Sequence, residues 1–578
     1  MIKRLALLLL LCPIAAPAKA PPRPAAEPGM VSAADPRAAA AGVEILRAGG
    51  SAADAAVAMM LALNVVEPLH SGLGGGGFMV YSDAARRLTS YDGREAAPAA
   101  ADPYWFHVGG RPLSHSAAVP GGRSVGVPGN LRLMWLAHER HGKLPWARLF
   151  GPAIRLARDG YAITPRLHNF LANFPLPMDD WGRAYLYDAA GQARPVGTVV
   201  TNPRLAAQFA RIAAQGPDYF YSGAQAEKLV ATVDGAAHNP SKMTVADLAG
   251  YRAKPRAPIC GTYRGYRICG MGPPASGAVA VLTILGQLER FDMAGMGKDS
   301  AAAWHLFAES SRLAYADRDA YLADPDHVTV PVAGLLDPAY IAARSALIAP
   351  DRSMATVSAG TPAGAPPRPA ATPINEHGTT DLVAVDRQGA VAEVTTTIES
   401  VAGSGLSIDG AFLNNELTDF DIVPVQNGAF TANRVEGGKR PRSSMSPTIV
   451  YGPDGKVRIA IGAAGGSTII AQVAKALVAV LDWHMSAQDA IALGLLYAPG
   501  DTAILEKGTA LEAMAPALAA LGQKVAVAPL GLKANAIERV AGHWVGAADP
   551  RSEGVAMGED MSATAIGRVV QKAGTPSE

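Results

Sequence analysis

An α+β fold in which helices cover stacked sheets is what this 578-residue sequence predicts, and three observations carry that expectation. Helical periodicity dominates residues 37–66, 130–214 and 299–322. Short alternating or β-branched runs recur at 78–81, 88–91, 382–385, 390–397, 448–451 and 457–461, the signature of strands. A composition of 49 % hydrophobic against 17 % charged residues supports a core large enough to need both kinds of layer. No repeat of 20 to 50 residues is evident, which argues against a solenoid or propeller.

The chain opens with Lys3 and Arg4, continues through an apolar run at 5–16 and reaches Ala18-Lys19-Ala20. This order matches a secretory signal peptide over residues 1–20, so a periplasmic or secreted, soluble mature protein is expected. Cys12 follows Leu11, where lipoprotein processing needs a small residue, which speaks against a lipid anchor. Nothing later is long and apolar enough to span a bilayer. A formal net charge of +1 provides no field for nucleic acid or an anionic membrane, so neither is expected as a partner.

Residues 37–66 read as two helices broken by Gly49-Gly50, the second buried because Ala, Val, Met and Leu fill it. The glycine cluster at 71–78 contains Gly72, Gly74 and Gly77 in the G-x-G-x-x-G spacing. That fingerprint must follow a strand and open a helix, and here the order is reversed; close backbone packing is the better reading. No Gly-Lys-Ser/Thr follows, and no nucleotide or other cofactor is expected. His138 and His141 are three apart where a zinc helix needs four, and His305 lies in an otherwise apolar helix, so no metal is expected. Centring a two-residue turn on Arg264-Gly265 pairs Tyr263 with Tyr266 and places Cys260 opposite Cys269, close enough for a disulfide in an oxidising compartment.

Residues 361–373 hold five prolines and read as an exposed linker or a mobile chain end. Beyond them lie His377-Gly378-Thr379-Thr380 and two strands, the second ending in Thr395-Thr396-Thr397. Threonines are common in strands, so this arrangement alone is weak.

A set of ordered blocks changes the weighting: Glu67 to Phe78 (EPLHSGLGGGGF), Gly93-Arg94-Glu95-Ala96-Ala97-Pro98, Pro273-Pro274-Ala275-Ser276-Gly277, Asn414-Asn415-Glu416-Leu417-Thr418-Asp419-Phe420, Lys439 to Thr448 (KRPRSSMSPT) and Gly465-Gly466-Ser467. Together they resemble the γ-glutamyltranspeptidases, which are N-terminal-nucleophile hydrolases, over roughly residues 30–560. The resemblance implies a four-layer αββα sandwich made from one precursor that is cut into a large subunit, 21–378, and a small catalytic subunit, 379–578, held together as one interleaved globule. It implies cleavage of γ-glutamyl amides such as glutathione, with transfer of the acyl group to water or to an amine of an amino acid or peptide.

Residue roles follow from the same resemblance. Thr379, freed as an N-terminus, would be the nucleophile; its hydroxyl needs a base, and an α-amine with pKa ~7.7 to 8.0 suits that task. Thr397, on the same strand face as Thr395, would hydrogen-bond the nucleophile. Gly465 and Gly466 would supply the N–H groups that stabilise the oxyanion. Arg94 with Ser443 and Ser444 would hold the substrate's α-carboxylate, a planar fork being suited to it, while Glu399, Glu416 and Asp419 would hold its ammonium. Without the resemblance, each of these reads as a surface charge or turn residue.

Several positions depart from the family pattern. Asp381 stands where histidine is more usual, Ala463-Ala464 where Ser-Pro is usual, and Glu399 where many members carry asparagine. The segment 421–442 resembles the family's active-site lid and is intermediate in length. Two rival functions remain: an acylase for another N-acyl amide, such as a β-lactam side chain, and a non-catalytic exported binding protein with an uncut chain. Retention of Arg94 and Asp419 argues against the first.

Overall fold

The computed structural model describes residues 27–174, 176–370, 378–560 and 563–566. The signal-peptide reading of residues 1–20, His377 and the end of the proline-rich segment lie outside them.

Two antiparallel sheets stack face to face. The first has eight strands in the order Ala563–Ile566, Val555–Gly558, Met30–Ala33, Thr380–Val385, Val391–Thr397, Gly76–Ser82, Leu88–Gly93 and Lys254–Arg256. The second has six: His543–Ala548, Lys533–Val540, Val457–Ala464, Thr448–Tyr451, Tyr266–Gly270 and Ile259–Tyr263. Each sheet takes strands from both sides of residue 378, so the halves of the chain interleave rather than form separate domains. Thr380–Val385 lies at the middle of the first sheet, paired with Met30–Ala33 and with Val391–Thr397. Both faces of that strand pair are covered, which is why it is buried at every position and rich in β-branched residues.

Helices Pro36–Arg47 and Ala52–Val66 cover the outer face of the eight-stranded sheet. All fifteen residues of the second are buried, as its apolar circumference requires. A reciprocal capping box between Ser51 and Asp54 starts it. Asp54 also accepts N–H bonds from Lys143 and Leu144 and faces Nδ1 of His138 at 3.1 Å. His141 is engaged elsewhere, with the Tyr91 hydroxyl. The two histidines therefore serve packing, and among the described residues no cluster is suited to a metal ion. Helices Gly277–Leu288, Ala301–Tyr321 and Ile469–Leu481 contribute to the core on the outer face of the second sheet. His305 is fully buried and satisfied by the Ala349 carbonyl and Gln523. The result is an αββα sandwich, and no described helix is long and apolar enough to cross a membrane.

The hairpin of Cys260 and Cys269 has the expected register, Tyr263 opposite Tyr266, and the two cysteines form a disulfide with Cα atoms 4.1 Å apart. The glycine cluster packs against backbone: a Cβ on Gly74 would lie 2.1 Å from the Phe412 carbonyl oxygen, and one on Gly75 1.9 Å from that of Thr397. Two expectations are corrected. The strand beginning at Val457 continues to Ala464, because Gly462, Ala463 and Ala464 are small enough to sit between sheets despite modest strand propensity. The described part of the proline-rich segment is not simply exposed: Pro362 is buried, Ala365 joins a side cluster, and Gly334 lets the Ala363 carbonyl approach to 2.1 Å of where its Cβ would be.

Candidate active site

The central strand enters the sheet through an unusual backbone. Gly378 has φ 89° and Thr379 φ 82°, and for a β-branched residue the left-handed region costs about 1–3 kcal/mol. The conformation at Gly378 admits no side chain, since a Cβ there would sit 1.8 Å from the Glu399 carbonyl oxygen. The Gly378 carbonyl points at the loop after Ala464 and accepts an N–H bond from Gly465 at 3.1 Å. The peptide bond between Gly378 and Thr379 thus has a strained residue on its C-terminal side and a polarising donor on its oxygen.

Thr379 is 4 % exposed, and its hydroxyl lies 3.4 Å from that of Thr397. Thr397 Oγ1 in turn accepts the Glu399 N–H at 2.7 Å, which orients it. Gly465, at φ 124°, and Gly466, at φ 60°, form the turn between strand and helix. A single 3-10 turn, Gly466–Thr468, precedes the helix at Ile469, so the positive end of that helix dipole lies behind the turn. Gln472 Nε2 donates to the Ala464 carbonyl at 2.8 Å and Thr468 Oγ1 to that of Gly465, also at 2.8 Å. These bonds tie down the backbone carbonyls of the turn.

Thr380 points to the opposite face, where it donates to Glu67 Oε2 at 2.7 Å; Lys533 Nζ bridges both Glu67 oxygens at 3.0 and 2.9 Å. Burial alone would raise the Glu67 pKa, but Lys533, His70, Arg166 and the Thr380 hydroxyl together outweigh it and pull the carboxyl to about 2. This network locks the residue next to Thr379. Glu67 lies in one of the motif blocks, but Lys533 carries no sequence signal of its role.

The predicted substrate residues also converge. Arg94, 1 % exposed, pairs with Glu416 and Asp419, and its guanidinium donates to the Arg442 carbonyl at 2.9 Å and the Pro441 carbonyl at 3.2 Å. Glu95 lies 4.0 Å away with both oxygens lacking a hydrogen-bond partner. Burial pushes Glu95 up to about 8 against the pull of Arg94, and burial raises Glu416 as well, with Glu95, Asp419 and Glu399 adding repulsion. Three carboxyls thus crowd the Arg94 guanidinium, and burial favours the protonated form of Glu95 and Glu416. Glu399 accepts from Ser400 and Asn415. Ser444 Oγ accepts from Arg318 at 2.6 Å, and the Ser443 carbonyl from Ser276 Oγ at 2.7 Å. All of these are buried, against the surface reading each would have alone. Arg318 was not legible as a site residue, because a 21-residue helix presents many charged positions and only packing selects one.

Asp381 and Glu393 form a second carboxyl pair between the sheets. Both are fully buried, Thr395 Oγ1 donates to Asp381 at 2.8 Å, and burial raises both. A cavity of about 1470 Å³ opens beside Thr379 and is bordered by Gly378, Ser400, Gly465, Arg166 and Phe170 among others.

The gamma-glutamyltranspeptidase family model matches residues 38–559. The chain is 35 % identical over 547 residues to the glutathione hydrolase proenzyme of Bacillus subtilis (strain 168), covering 92 % of each. It is 36 % identical over 541 residues to the glutathione hydrolase proenzyme of Escherichia coli (strain K12), covering 91 % of each. Among solved structures, a cephalosporin acylase from Bacillus halodurans superposes with a TM-score of 0.81 at 25 % identity, over 95 % of this chain and 99 % of that one.

Proposed function

Because the chain belongs to the γ-glutamyltranspeptidase family, we propose that it is a γ-glutamyltransferase and glutathione hydrolase that cuts itself between Gly378 and Thr379. The single observation that carries the reading is the Gly378-Thr379 linkage, with its strained threonine and its carbonyl held by Gly465. In cleavage, the Thr379 hydroxyl attacks the Gly378 carbonyl carbon, the C–N bond breaks, and the proton leaves with the new α-amine. Water then hydrolyses the resulting ester, separating a large subunit ending at 378 from a small one beginning at 379. The Gly465 N–H that meets the Gly378 oxygen is placed to meet the oxyanion of later substrates as well, with Gly466 beside it.

After cleavage the Thr379 amine takes the proton of its own hydroxyl, Thr397 holds that oxygen, and the hydroxyl attacks the γ-carbonyl of a glutathione-type donor. The donor's carboxylate exchanges for an acidic partner on Arg94, assisted by Ser443 and Ser444, while Glu399, Glu416 and Asp419 receive its ammonium. The buried carboxyls around Arg94 support this assignment, since an added ammonium favours their charged form and offsets the burial that raises Glu95 and Glu416. The γ-glutamyl-Thr379 ester is released to water or to an amine. The basic and apolar leader of the sequence supports export to the periplasm or medium.

Denaturing electrophoresis and N-terminal sequencing of the purified protein test the reading. Two bands are expected, the lighter beginning Thr-Thr-Asp-Leu, together with release of anilide from a γ-glutamyl anilide. A single uncut band with no turnover would instead favour a binding protein, and turnover confined to other acyl amides would favour an acylase.

A further inference from the structure

The Gly465-Gly466 turn has little stiffness of its own, because glycine at φ 124° and 60° meets few steric limits. The bonds from Thr468 and Gln472 to its carbonyls come from the same segment and move with it. Two phenols tie it to the rest of the molecule at the next residue, Ser467. Tyr315 donates its hydroxyl to the Ser467 carbonyl at 2.5 Å, and Tyr497 donates to Ser467 Oγ at 2.8 Å. Both rings are buried and meet edge-on, with centroids 5.8 Å apart, so each hydroxyl is held by packing as well as by its bond. Gly465 also donates to the Gly378 carbonyl in the uncut chain. The proposed cleavage releases that carbonyl, whereas the phenol contacts do not depend on the scissile bond. Tyr315 belongs to helix Ala301–Tyr321. One turn further along it, Arg318 donates from Nη2 to Ser444 Oγ at 2.6 Å and from Nε to Ser276 Oγ at 2.9 Å. Residues three apart share a helix face, so one rigid element touches the oxyanion turn and a serine of the donor's carboxylate site at once.

We propose that Tyr315, with Tyr497, is a positioning residue for acyl transfer: the phenols hold the Gly465 and Gly466 N–H groups at the reacting carbonyl, and Arg318 on the same helix as Tyr315 holds Ser444 at the donor's α-carboxylate. The inference rests on the γ-glutamyl-transfer reading above and adds what fixes the distance between the two ends of the donor. A γ-glutamyl group has a set length from carboxylate to γ-carbonyl, so a 21-residue helix that contacts both ends of the site keeps the oxyanion donors in register with the carbonyl. An oxyanion hole works by preorganisation, and its donors stabilise the transition state more than the ground state. Loosening the turn should therefore appear in kcat before KM. The same turn polarises the Gly378 carbonyl, so self-cleavage should respond as well.

The test measures turnover of a γ-glutamyl anilide by the processed enzyme and, on denaturing gels, the conversion of freshly made precursor to two subunits. Tyr315→Phe keeps the ring and removes the hydroxyl. It should lower kcat per processed small subunit by about tenfold, or ~1.4 kcal/mol, keep KM within about twofold of the parent, and slow conversion by a similar factor to kcat. Tyr497→Phe, which releases a side-chain rather than a backbone contact, should lose less kcat. Arg318→Lys should instead raise KM severalfold with the smaller change in kcat. Unchanged kcat and conversion in Tyr315→Phe would overturn the assignment. So would a lowered thermal midpoint with kcat intact, because a purely structural tyrosine moves stability alone, and so would an effect confined to KM. Equal KM in the parent and Arg318→Lys would overturn the claim that the helix holds both ends of the donor. Conversion needs no donor. Slowed conversion in Tyr315→Phe, beside a parent with no γ-glutamyl turnover, would refute the transfer reading and keep Tyr315 at the turn, whereas parental turnover matched by Tyr315→Phe would refute the tyrosine assignment alone.

Discussion

Glu393→Gln should make the stability of this protein markedly less dependent on pH. Glu393 and Asp381 face one another in the layer between sheets, and a Cβ on Gly462 would lie 1.9 Å from Glu393 Oε1 and 2.1 Å from Asp381 Oδ2. The two oxygens are therefore no more than about 4 Å apart, where two full charges at an effective dielectric of ~20 repel by ~4 kcal/mol. Neither residue is exposed, and both Glu393 oxygens have no donor, so the folded protein keeps a proton on the pair. Burial holds both carboxyls above their ordinary range, and the Asp381 charge adds to the rise at Glu393. A raised folded-state value means that the folded protein binds more protons than the unfolded chain above ~pH 4. The associated stability is complete below that range and is lost as pH rises through the folded-state values. Glutamine leaves one carboxylate, gives it an N–H donor, and removes the repulsion. Urea unfolding of the uncut Thr379→Ala chain, followed from pH 5 to pH 8, should show a loss for the parent exceeding that of the Glu393→Gln protein by ~2–4 kcal/mol. Parallel pH profiles would refute the shared proton.

Gly378→Ala should block maturation, since its methyl group would sit 1.8 Å from the Glu399 carbonyl oxygen; a gel showing full conversion to two subunits would contradict the strained linkage. Thr379→Ala should abolish both cleavage and turnover, while Asp419→Ala should still be cut and lose ~1–3 kcal/mol in kcat/KM for γ-glutamyl anilides by depriving the ammonium of a partner. Lys533→Met strands the buried Glu67 carboxylate and should cost ~3–5 kcal/mol of stability, largely restored by adding Glu67→Gln; a double variant no more stable than the single one would show that the ion pair does not hold Thr380.

Much of the architecture was legible in residue order. Alternation marked the strands beginning at Gly76, Leu88 and Val391, helical spacing marked the two helices around Gly49-Gly50, and counting outward from Arg264-Gly265 paired Cys260 with Cys269. These are local properties, set by side-chain period and turn chemistry. The motif blocks added Arg94, Glu416 and Asp419, and the resemblance they carry pointed to Thr379; these residue types match the chemistry a γ-glutamyl amide requires.

Tertiary structure alone decided which distant groups meet. Lys533 joins Glu67 across 466 residues, Arg318 reaches Ser444, Glu393 faces Asp381, and Arg166 borders the same cavity as Thr379. Sequence carries periodicity and local preference, but a buried charge acquires its role from partners brought in by sheet stacking, and those contacts leave no periodic trace along the chain.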